Sequence, residues 1–374
     1  MDHGSIRRTL EAIERFAWRD EKGMRIQPCV SPVWDTILMT IGLRDVGIPQ
    51  NDERLKRAMK WVEERQIPDG EAGDWRVYRP HIKSGGWAFE YSNTWYPDID
   101  DSAAAIIAFV KQDPESCDSP HVVRGLEWIL GMQNTDGGWA AFDVKNDKEY
   151  LNRIPFSDMD ALCDPSTADV TGRVVEAFGI VCKEGVGRID IALEKRLMIS
   201  VHYAIKYLQL TQEPTGSWYG RWGVNYVYGT SNVLCALAYS DGAHIENMVK
   251  PAVQWLRDCQ QSDGGWGEGL TTYNYGEAAA KVGSTASQTA WGLMGLLAWV
   301  PASDESVLRG IRFLCETQVV ENGKELGSWV EPQYTATGFP RHFYLRYDYY
   351  RHYFPMMAIG RYKRARAELE GSES

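Results

Sequence analysis

The sequence predicts an all-α protein in which six helical hairpins close into an α/α toroid. Two observations predict this fold: a glutamine–tryptophan signature that occurs five times, and apolar helices that alternate with amphipathic ones. A closed ring suits such a repeat, because every unit has two neighbours and no repeat end is exposed. The chain has 374 residues, 44% of them hydrophobic, so it can bury a core of this size.

The repeated signature places an aromatic residue five positions before a glutamine and a tryptophan after it. The pairs are Trp61 and Gln66, Trp128 and Gln133, Tyr207 and Gln212, Trp255 and Gln260, and Phe313 and Gln318. Turn residues crowd between the glutamine and the tryptophan, so we expect the glutamine to cap its helix and the tryptophan to fold back over it. In the first copy, KRAMKWVEERQIPDGEAGDW, that tryptophan is Trp75. The signature indicates packing between outer helices, not chemistry.

The outer helices of the predicted ring carry charge on one face. In chain order they are expected at 6–16, 52–65, 121–132, 197–210, 244–259 and 305–317. The inner helices are apolar nearly all round, as helices buried on both sides must be, and are expected at 31–43, 101–110, 169–178, 231–238, 287–298 and 349–360. We expect one barrel domain over residues 1–362 and a solvated tail over 363–374.

Charge and cysteine content exclude several classes of function. The chain has 51 acidic and 40 basic residues, a net charge of −11, which argues against nucleic acid as a partner. Its seven cysteines are scattered and include no CxxC pair, so neither disulfides nor a cysteine-built zinc site is expected. The first residues lack the apolar segment of a signal peptide, and no window is long and apolar enough to span a bilayer.

Three carboxylates, those of Asp98, Asp100 and Asp101, meet where the second inner helix is expected to begin. One aspartate would suffice as an N-cap, so capping and a favourable helix dipole remain an open interpretation of the motif. Three like charges at the mouth of an apolar cavity instead raise the pKa of one carboxyl, which can then be a neutral, strongly driven proton donor. The aromatic residues expected beside them are Trp87, Phe89, Trp95 and Tyr96.

Other aromatic residues lie at comparable positions, where further inner helices begin. Their faces stabilise cations without supplying a nucleophile that would capture them, so a cavity lined in this way suits a migrating carbocation. The alternative for any single residue is an ordinary place in the core. The candidates are Trp34, Trp222, Tyr228, Phe339, Phe343, Tyr344, Tyr347, Tyr349 and Tyr350.

The chain resembles the C-terminal half of squalene-hopene cyclases, the class II triterpene cyclases, over essentially its whole length. The resemblance lies in the repeated signatures and in the segments SPVWDT, WAFEYSNTWYPDIDDSAAA, DPSTADVTGRVVEAFG, GSWYGRWGVNYVYGTSNV, STASQTAW and GFPRHFYLRYDYYRHYFP. The DIDD sequence is similar to the bacterial squalene type rather than to oxidosqualene cyclases. The resemblance implies hopanoid biosynthesis, in which squalene or a similar polyprenyl chain is protonated and cyclised to hopene or hopanol without a metal or organic cofactor.

The resemblance also implies roles for individual residues. Asp100 would donate the proton, Asp98 and Asp101 would position and tune it, and Tyr228 would join their hydrogen-bond network. Phe156 resembles a residue at the constriction of the substrate channel. The residues that would line the cavity and hold successive cations are Trp34, Phe89, Trp222, Phe339, Phe343, Tyr344, Tyr347 and Tyr350.

The chain departs from the family pattern in two places. Family members often have a histidine beside the central aspartate, where this chain has Arg173, a supporting residue that cannot hand over a proton at neutral pH. Full-length cyclases also have a second, N-terminal barrel, which is absent from this sequence. The expected partners are therefore such a barrel or a second copy of the chain, an isoprenoid substrate and the membrane surface. The expected location is the cytoplasmic face of the membrane, as a peripheral or monotopic protein.

Other functions remain open at this point. An α/α-toroid glycoside hydrolase would pair Asp100 with Glu90 or Asp169, although sugar sites need polar side chains that this apolar lining lacks. A protein prenyltransferase would need a zinc site, and the seven histidines show no convincing cluster. An inert remnant, or a split half that needs a separate N-terminal barrel, would expose an apolar docking face.

Overall fold

The structure is a computed structural model and describes residues 3–21, 23–26, 29–91, 93–278 and 282–372. The helices are α1 (Gly4–Phe16), α2 (Pro32–Asp45), α3 (Glu53–Glu63), α4 (Ile99–Gln112), α5 (Pro120–Gly131), α6 (Ala168–Glu184), α7 (Ile191–Thr211), α8 (Tyr226–Leu237), α9 (Ala243–Cys259), α10 (Thr272–Tyr275), α11 (Ala286–Leu297), α12 (Glu305–Glu316) and α13 (Tyr350–Ser372). The strands form three antiparallel hairpins, β1 (Ala17–Asp20) with β2 (Gly23–Ile26), β3 (Gln318–Glu321) with β4 (Lys324–Trp329), and β5 (Ala336–Phe339) with β6 (Phe343–Leu345).

The predicted all-α toroid is confirmed. In the described ranges, the inner ring consists of α2, α4, α6, α8, α11 and α13, each packed against the next, and α13 packs against α2 to close it. An outer helix returns the chain between consecutive inner helices, so the inner helices run parallel. Their first turns meet at one end of the ring, here called the acid mouth, and their last turns meet at the other end, the far mouth.

The outer layer consists of α3, α5, α7, α9 and α12 in the part of the chain that the structure describes. Each buries one face and exposes the other, as the charge pattern predicts. The helix expected at 6–16 also forms, as α1, but none of its residues is buried. Its apolar residues Ile6, Leu10 and Ile13 are exposed, so α1 does not cover the ring as the other outer helices do.

The signature glutamines join neighbouring outer helices. Gln133 Nε2 donates to the carbonyl of Gly137 in its own turn (2.8 Å) and to that of Ser200 on α7 (3.0 Å). Gln212 and Gln260 make the same pair of bonds, and Gln66 donates to the carbonyls of Gly85 and His121, so each reaches the next outer helix. The glutamine therefore does more than cap its own helix, because it fixes the spacing of two consecutive units.

The signature tryptophans fold back over their helices as predicted. Trp139 Nε1 donates to the carbonyl of Ile129 (2.8 Å), and Trp218, Trp266 and Trp329 make equivalent bonds. In the first copy the prediction of Trp75 is wrong, since Trp87 Nε1 makes this bond, to the carbonyl of Val62 (2.7 Å). A loop that contains a short helical turn at Asp74–Val77 separates Gln66 from its true partner.

Truncating one glutamine tests its role as a link between outer helices. We expect Gln133→Ala to lower the free energy of unfolding by about 1–3 kcal/mol, because two buried carbonyls each lose a donor. Gln254→Ala, on the exposed face of α9, is the matched control and should change stability little. Thermal or urea unfolding of both variants measures the difference, and equal stabilities would show that the link contributes nothing.

The C-terminal part of the ring departs most from the predicted elements. Gln318, in the last signature, lies in β3, and the β5–β6 hairpin reaches the acid mouth, where the Thr337 N–H donates to the carbonyl of Trp222 (3.1 Å). The expected tail at 363–374 continues α13 as a mostly exposed helix to Ser372, and its last two residues lie outside the described residues. No helix in the described ranges is both long and apolar enough to cross a membrane.

Candidate active site

Asp98 is the N-cap of α4 and holds the first turn of that helix. Its Oδ1 accepts hydrogen bonds from the backbone N–H groups of Asp100 (2.7 Å) and Asp101 (3.1 Å). The Asp98 N–H in turn donates to the carbonyl of Trp87 (2.8 Å), which anchors the motif to the turn before it. Capping therefore accounts for Asp98 alone, and the other two carboxylates need a different explanation.

Asp100 is paired with Arg173 inside the ring. Arg173, on α6, donates from Nε to Asp100 Oδ1 (2.5 Å) and from Nη2 to the hydroxyl of Tyr228 on α8 (2.9 Å). Its guanidinium also lies over the ring of Trp34 on α2, 5.3 Å from the centroid. Four inner helices thus contribute to one buried polar group, and Arg173 occupies the supporting place expected for it.

Asp101 is buried beside this pair, with 2% of its surface exposed. Its Oδ1 accepts no hydrogen bond from any described residue. A bare carboxylate oxygen in such a place is unfavourable, so the arrangement favours a protonated carboxyl.

Burial raises the pKa of all three carboxyl groups. For Asp100 the loss of solvation outweighs the guanidinium of Arg173, and together with the charge of Asp169 it raises the pKa to about 6. For Asp98 and Asp101 burial and the neighbouring carboxylates raise the pKa well above its ordinary value. The site therefore keeps its carboxyl groups protonated at higher pH than a solvent-exposed aspartate would be, as a proton donor to an alkene requires.

Aromatic side chains surround the acidic group. Trp34 Nε1 donates to the hydroxyl of Tyr350 (3.4 Å), whose ring stacks on that of Tyr347 at a centroid distance of 4.6 Å. Phe89 lies edge-on to Tyr347, with centroids 6.2 Å apart. These rings and Tyr228 form one connected wall, so the structure brings together five of the aromatic residues predicted for the cavity.

The other predicted aromatic residues occupy different places around the acid mouth. Phe343 and Tyr344 line a cavity of about 480 Å³ that Phe89, Tyr347 and Tyr349 also line. Phe339 lines a separate cavity of about 660 Å³. Trp222 packs edge-on against Phe142, with centroids 6.0 Å apart, and the guanidinium of Arg221 lies 4.2 Å above its ring.

Three aromatic residues are exposed rather than packed against the acid. The prediction that Trp95 and Tyr96 lie beside it is wrong, because the loop before Pro97 turns their side chains outward. Phe156, expected at a channel constriction, is 83% exposed on the loop before α6. Its role in a channel stays a prediction.

The carboxylates proposed for a glycoside hydrolase do not form a catalytic pair. Asp169 Oδ2 accepts from the backbone N–H groups of Arg221 and Trp222 (2.9 Å each), and its Oδ1 accepts from the Val170 N–H (3.0 Å). Both oxygens therefore anchor backbone. Glu90 lies half-buried, outside the group formed with Arg173. Among the described residues, no three His, Cys, Asp or Glu side chains are arranged to hold a metal ion.

Sequence reasoning missed three residues at the site. Trp291, on α11, is edge-on to Tyr228 with centroids 4.8 Å apart. Asp164 is buried, accepts from the N–H groups of Phe142 (2.8 Å) and Asp143 (2.9 Å), and has a pKa that burial raises to about 6. Asp35, in SPVWDT, lines the cavity of about 480 Å³, and burial raises its pKa. None of the three was singled out, although each lies in a segment that carries the family resemblance: Asp35 in SPVWDT, Asp164 at the start of DPSTADVTGRVVEAFG and Trp291 at the end of STASQTAW.

Comparison with known proteins identifies the family. A family model described as the squalene-hopene cyclase C-terminal domain matches residues 30–364. The squalene hopane cyclase of Aspergillus fumigatus is 47% identical over 358 residues, covering 87% of this chain and 48% of that protein. The squalene-hopene cyclase of Bradyrhizobium diazoefficiens is 45% identical over 349 residues, covering 91% of this chain and 50% of that protein.

A solved structure shows a similar fold. The structure of the type II terpene cyclase MstE from Scytonema is similar with a TM-score of 0.60 at 16% identity, covering 98% of this chain and 99% of that chain. This chain spans about half the length of the two sequence relatives, one fungal and one bacterial. On these matches, the chain belongs to the squalene-hopene cyclase family, with the family's C-terminal domain over nearly all of its length.

Proposed function

We propose that the chain provides the acid and the cation-binding wall for the cyclisation of squalene, or of a similar linear polyprenyl chain, to hopene or hopanol. The observation that supports this most is the buried Asp100, held by Arg173 among aromatic rings with a pKa raised to about 6. The family membership supports the same reaction class.

The first step transfers one proton from Asp100 to a terminal double bond. The O–H bond breaks, the alkene π electrons form the new C–H bond, and a tertiary carbocation and a carboxylate remain. The carboxylate is stabilised at once, because Arg173 already donates to its Oδ1. Asp98 positions the donor by fixing the first turn of α4, and the raised pKa of Asp101 keeps a second negative charge away from it.

The aromatic wall stabilises the cation as it moves through successive ring closures. The faces of Trp34, Phe89, Tyr347 and Tyr350 present negative charge density, each worth about 0.5–2 kcal/mol to a desolvated cation. Trp34 and Tyr350 are buried, which excludes water that would capture the cation early. The final cation then loses a proton to give hopene or takes up water to give hopanol.

We propose that a second barrel, or a second copy of the chain, completes the cavity at the acid mouth. The relatives compared above are about twice as long as this chain. Apolar residues are exposed along α1 and the β1–β2 hairpin, among them Ile6, Leu10, Ile13, Trp18 and Met24. An exposed apolar face of this kind is expected where a partner docks.

We propose that the protein works as a peripheral protein at the cytoplasmic face of the membrane, where squalene is dissolved. One face of α7 supports this, because it exposes Ile191, Met198, Ile199, Tyr203 and Leu210 beside Lys195 and Lys206. We expect Met198→Glu with Leu210→Glu to reduce co-sedimentation with anionic lipid vesicles several-fold. Val186→Glu is the control, because Val186 is an exposed apolar residue that precedes α7. An equal loss of vesicle binding in both variants would contradict a membrane-binding role for this face of α7.

The test of the function is a product assay. The purified chain is incubated with detergent-dispersed squalene, alone and with a co-expressed N-terminal barrel of a relative, and the products are analysed by mass spectrometry. Pentacyclic product from the chain alone supports a self-sufficient cyclase, and product only with the added barrel supports a split enzyme. The absence of product in both reactions would contradict the proposed function and favour an inactive remnant.

The pH dependence follows from the state of Asp100. Since the reaction needs the protonated acid, whose pKa is about 6, we expect the rate to be highest below about pH 5 and to fall about tenfold per unit above about pH 7. Arg173 lowers the pKa of Asp100, so Arg173→Gln should move this fall to higher pH. Initial rates of product formation from pH 4 to 9, for the wild-type protein and for Arg173→Gln, measure both the fall and its displacement. A rate that rises with pH through this range would show that the carboxylate is the active form.

A further inference from the structure

Asp100 must regain a proton after every turnover, if the proposed function holds. It gives one proton to the substrate, whereas the final cation loses its proton at the other end of the product. The side of Asp100 that faces the aromatic wall is then filled by apolar product. The returning proton must therefore reach Asp100 from another direction, and water is its source.

Arg173 cannot supply that proton. A guanidinium stays protonated at every physiological pH, so it stabilises the Asp100 carboxylate without exchanging a proton with it. A titratable group close to Arg173 and in contact with water is needed instead.

Glu176 lies on the next turn of α6, on the same face as Arg173. Its side chain is 10% exposed, and its Oε1 is 3.6 Å from Arg361 Nη2 on α13. Its charge acts on both Arg173 and Arg361. Glu176 thus lies between the acid site and the charged groups of the far mouth, and the mechanism described above does not use it.

The far mouth contains a further cavity, of about 660 Å³, on the side of the ring opposite to the aromatic wall. All six inner helices contribute to it, and its charged lining is accessible to water. The titratable groups around Glu176 there are Asp45, Lys111, Cys235, Tyr239 and Arg361.

Asp45, another buried carboxylate of this cavity, is unsuited to carry protons. Burial alone would raise its pKa, but Lys111 (2.7 Å), Arg361 (3.5 Å) and Arg364 (3.2 Å) lower the pKa below its ordinary value. It therefore stays ionised and neutralises the cations. Among the described residues, Glu176 has one cation within 4 Å, Arg361, and it lies one helical turn from Arg173, so it connects the cavity with the site.

We propose that Glu176 relays protons from water in the far-mouth cavity to Asp100. The Glu176 carboxyl gives its proton to a water molecule beside Arg173, and that water gives a proton to the Asp100 carboxylate. Glu176 then takes a proton from cavity water. Each O–H bond that breaks is matched by one that forms, and no other reactant is needed.

The test measures the first turnover separately from the later ones. It uses the preparation that is active in the product assay, which is either the chain alone or the chain with its partner barrel. Glu176→Gln keeps the size of the side chain and an oxygen for Arg361 but carries no exchangeable acid proton. Rapid mixing with squalene should give one equivalent of product at the wild-type rate, followed by turnover slowed about 10²-fold. Glu176→Asp, which keeps the acid, should restore much of the later rate.

Glu184→Gln is the matched control, since Glu184 lines the same cavity but is exposed at the end of α6. It should leave both phases unchanged. If Glu176 has a purely structural role, Glu176→Gln should slow the first and the later turnovers equally, and this result would overturn the relay. Later turnover at the wild-type rate in Glu176→Gln would also overturn it. If Glu176→Gln does not fold, Glu176→Ala takes its place, and later turnover in that variant as fast as its first turnover would overturn the relay. No product from the wild-type protein would overturn the proposed function, and the relay with it.

Discussion

Asp100→Asn is expected to reduce cyclised product by about 10³-fold or more, because an amide cannot protonate an alkene. The fold should persist, since the Asn Oδ1 can still accept from Arg173 Nε and Asp98 still caps α4. Product formation is measured by mass spectrometry, and circular dichroism confirms the helical content.

Glu268→Gln is the matched control for this loss. Glu268 is also a buried carboxyl group, its pKa is raised by burial to about 7, and it accepts from the N–H groups of Asn225 (3.0 Å) and Val227 (2.7 Å). The glutamine keeps an acceptor oxygen, so activity should stay within a few-fold of wild type. If both variants lose cyclised product equally, the loss in Asp100→Asn would reflect the removal of a buried carboxyl group needed for folding and not the removal of the proton donor.

Asp45→Ala is expected to lower the free energy of unfolding by about 3–5 kcal/mol, because it leaves buried cations without their partner. Asp45 ends α2, Lys111 lies on α4, and Arg361 and Arg364 lie on α13. The carboxylate therefore joins three inner helices, including the two that close the ring. Denaturant unfolding measures the change.

Glu246→Ala is the control for Asp45→Ala. Its ion pair with Lys250 has a similar distance, 2.9 Å, but both side chains are exposed. Exposed pairs of this kind contribute about 0–1 kcal/mol, so this variant should unfold close to wild type. A comparable loss in the two variants would contradict a special role of Asp45 in closing the ring.

The repeat made the fold predictable because each signature encodes the same local interactions. The tryptophan bond to a carbonyl of its own helix recurs at a constant spacing in three copies, from Trp139, Trp218 and Trp266. The spacing predicted the wrong residue, Trp75, in the first copy, because a loop is inserted there and Trp87 makes the bond to the helix carbonyl instead. The glutamine bonds to the next outer helix were not predictable, because their acceptors lie 36 to 67 residues away.

The acid was predictable from Asp98, Asp100 and Asp101, because the three lie together in sequence. Their partners were harder to predict from the residues alone, because Arg173 is 73 positions from Asp100, and Trp34 and Tyr350 are 316 positions apart. Trp291 looked like any core residue of an apolar helix. Glu176 also gave no signal, because its importance depends on a cavity that all six inner helices form.

Deuterium incorporation tests the central claim, that Asp100 starts the reaction by protonation, most directly. The protein is equilibrated in D₂O, incubated with squalene, and the hydrocarbon product is analysed by mass spectrometry. Hopene formed by this route should contain one deuterium at the first ring, because Asp100 transfers D⁺ and the final cation loses a proton of the substrate. Cyclised product without deuterium, or with equal yield from Asp100→Asn, would contradict it.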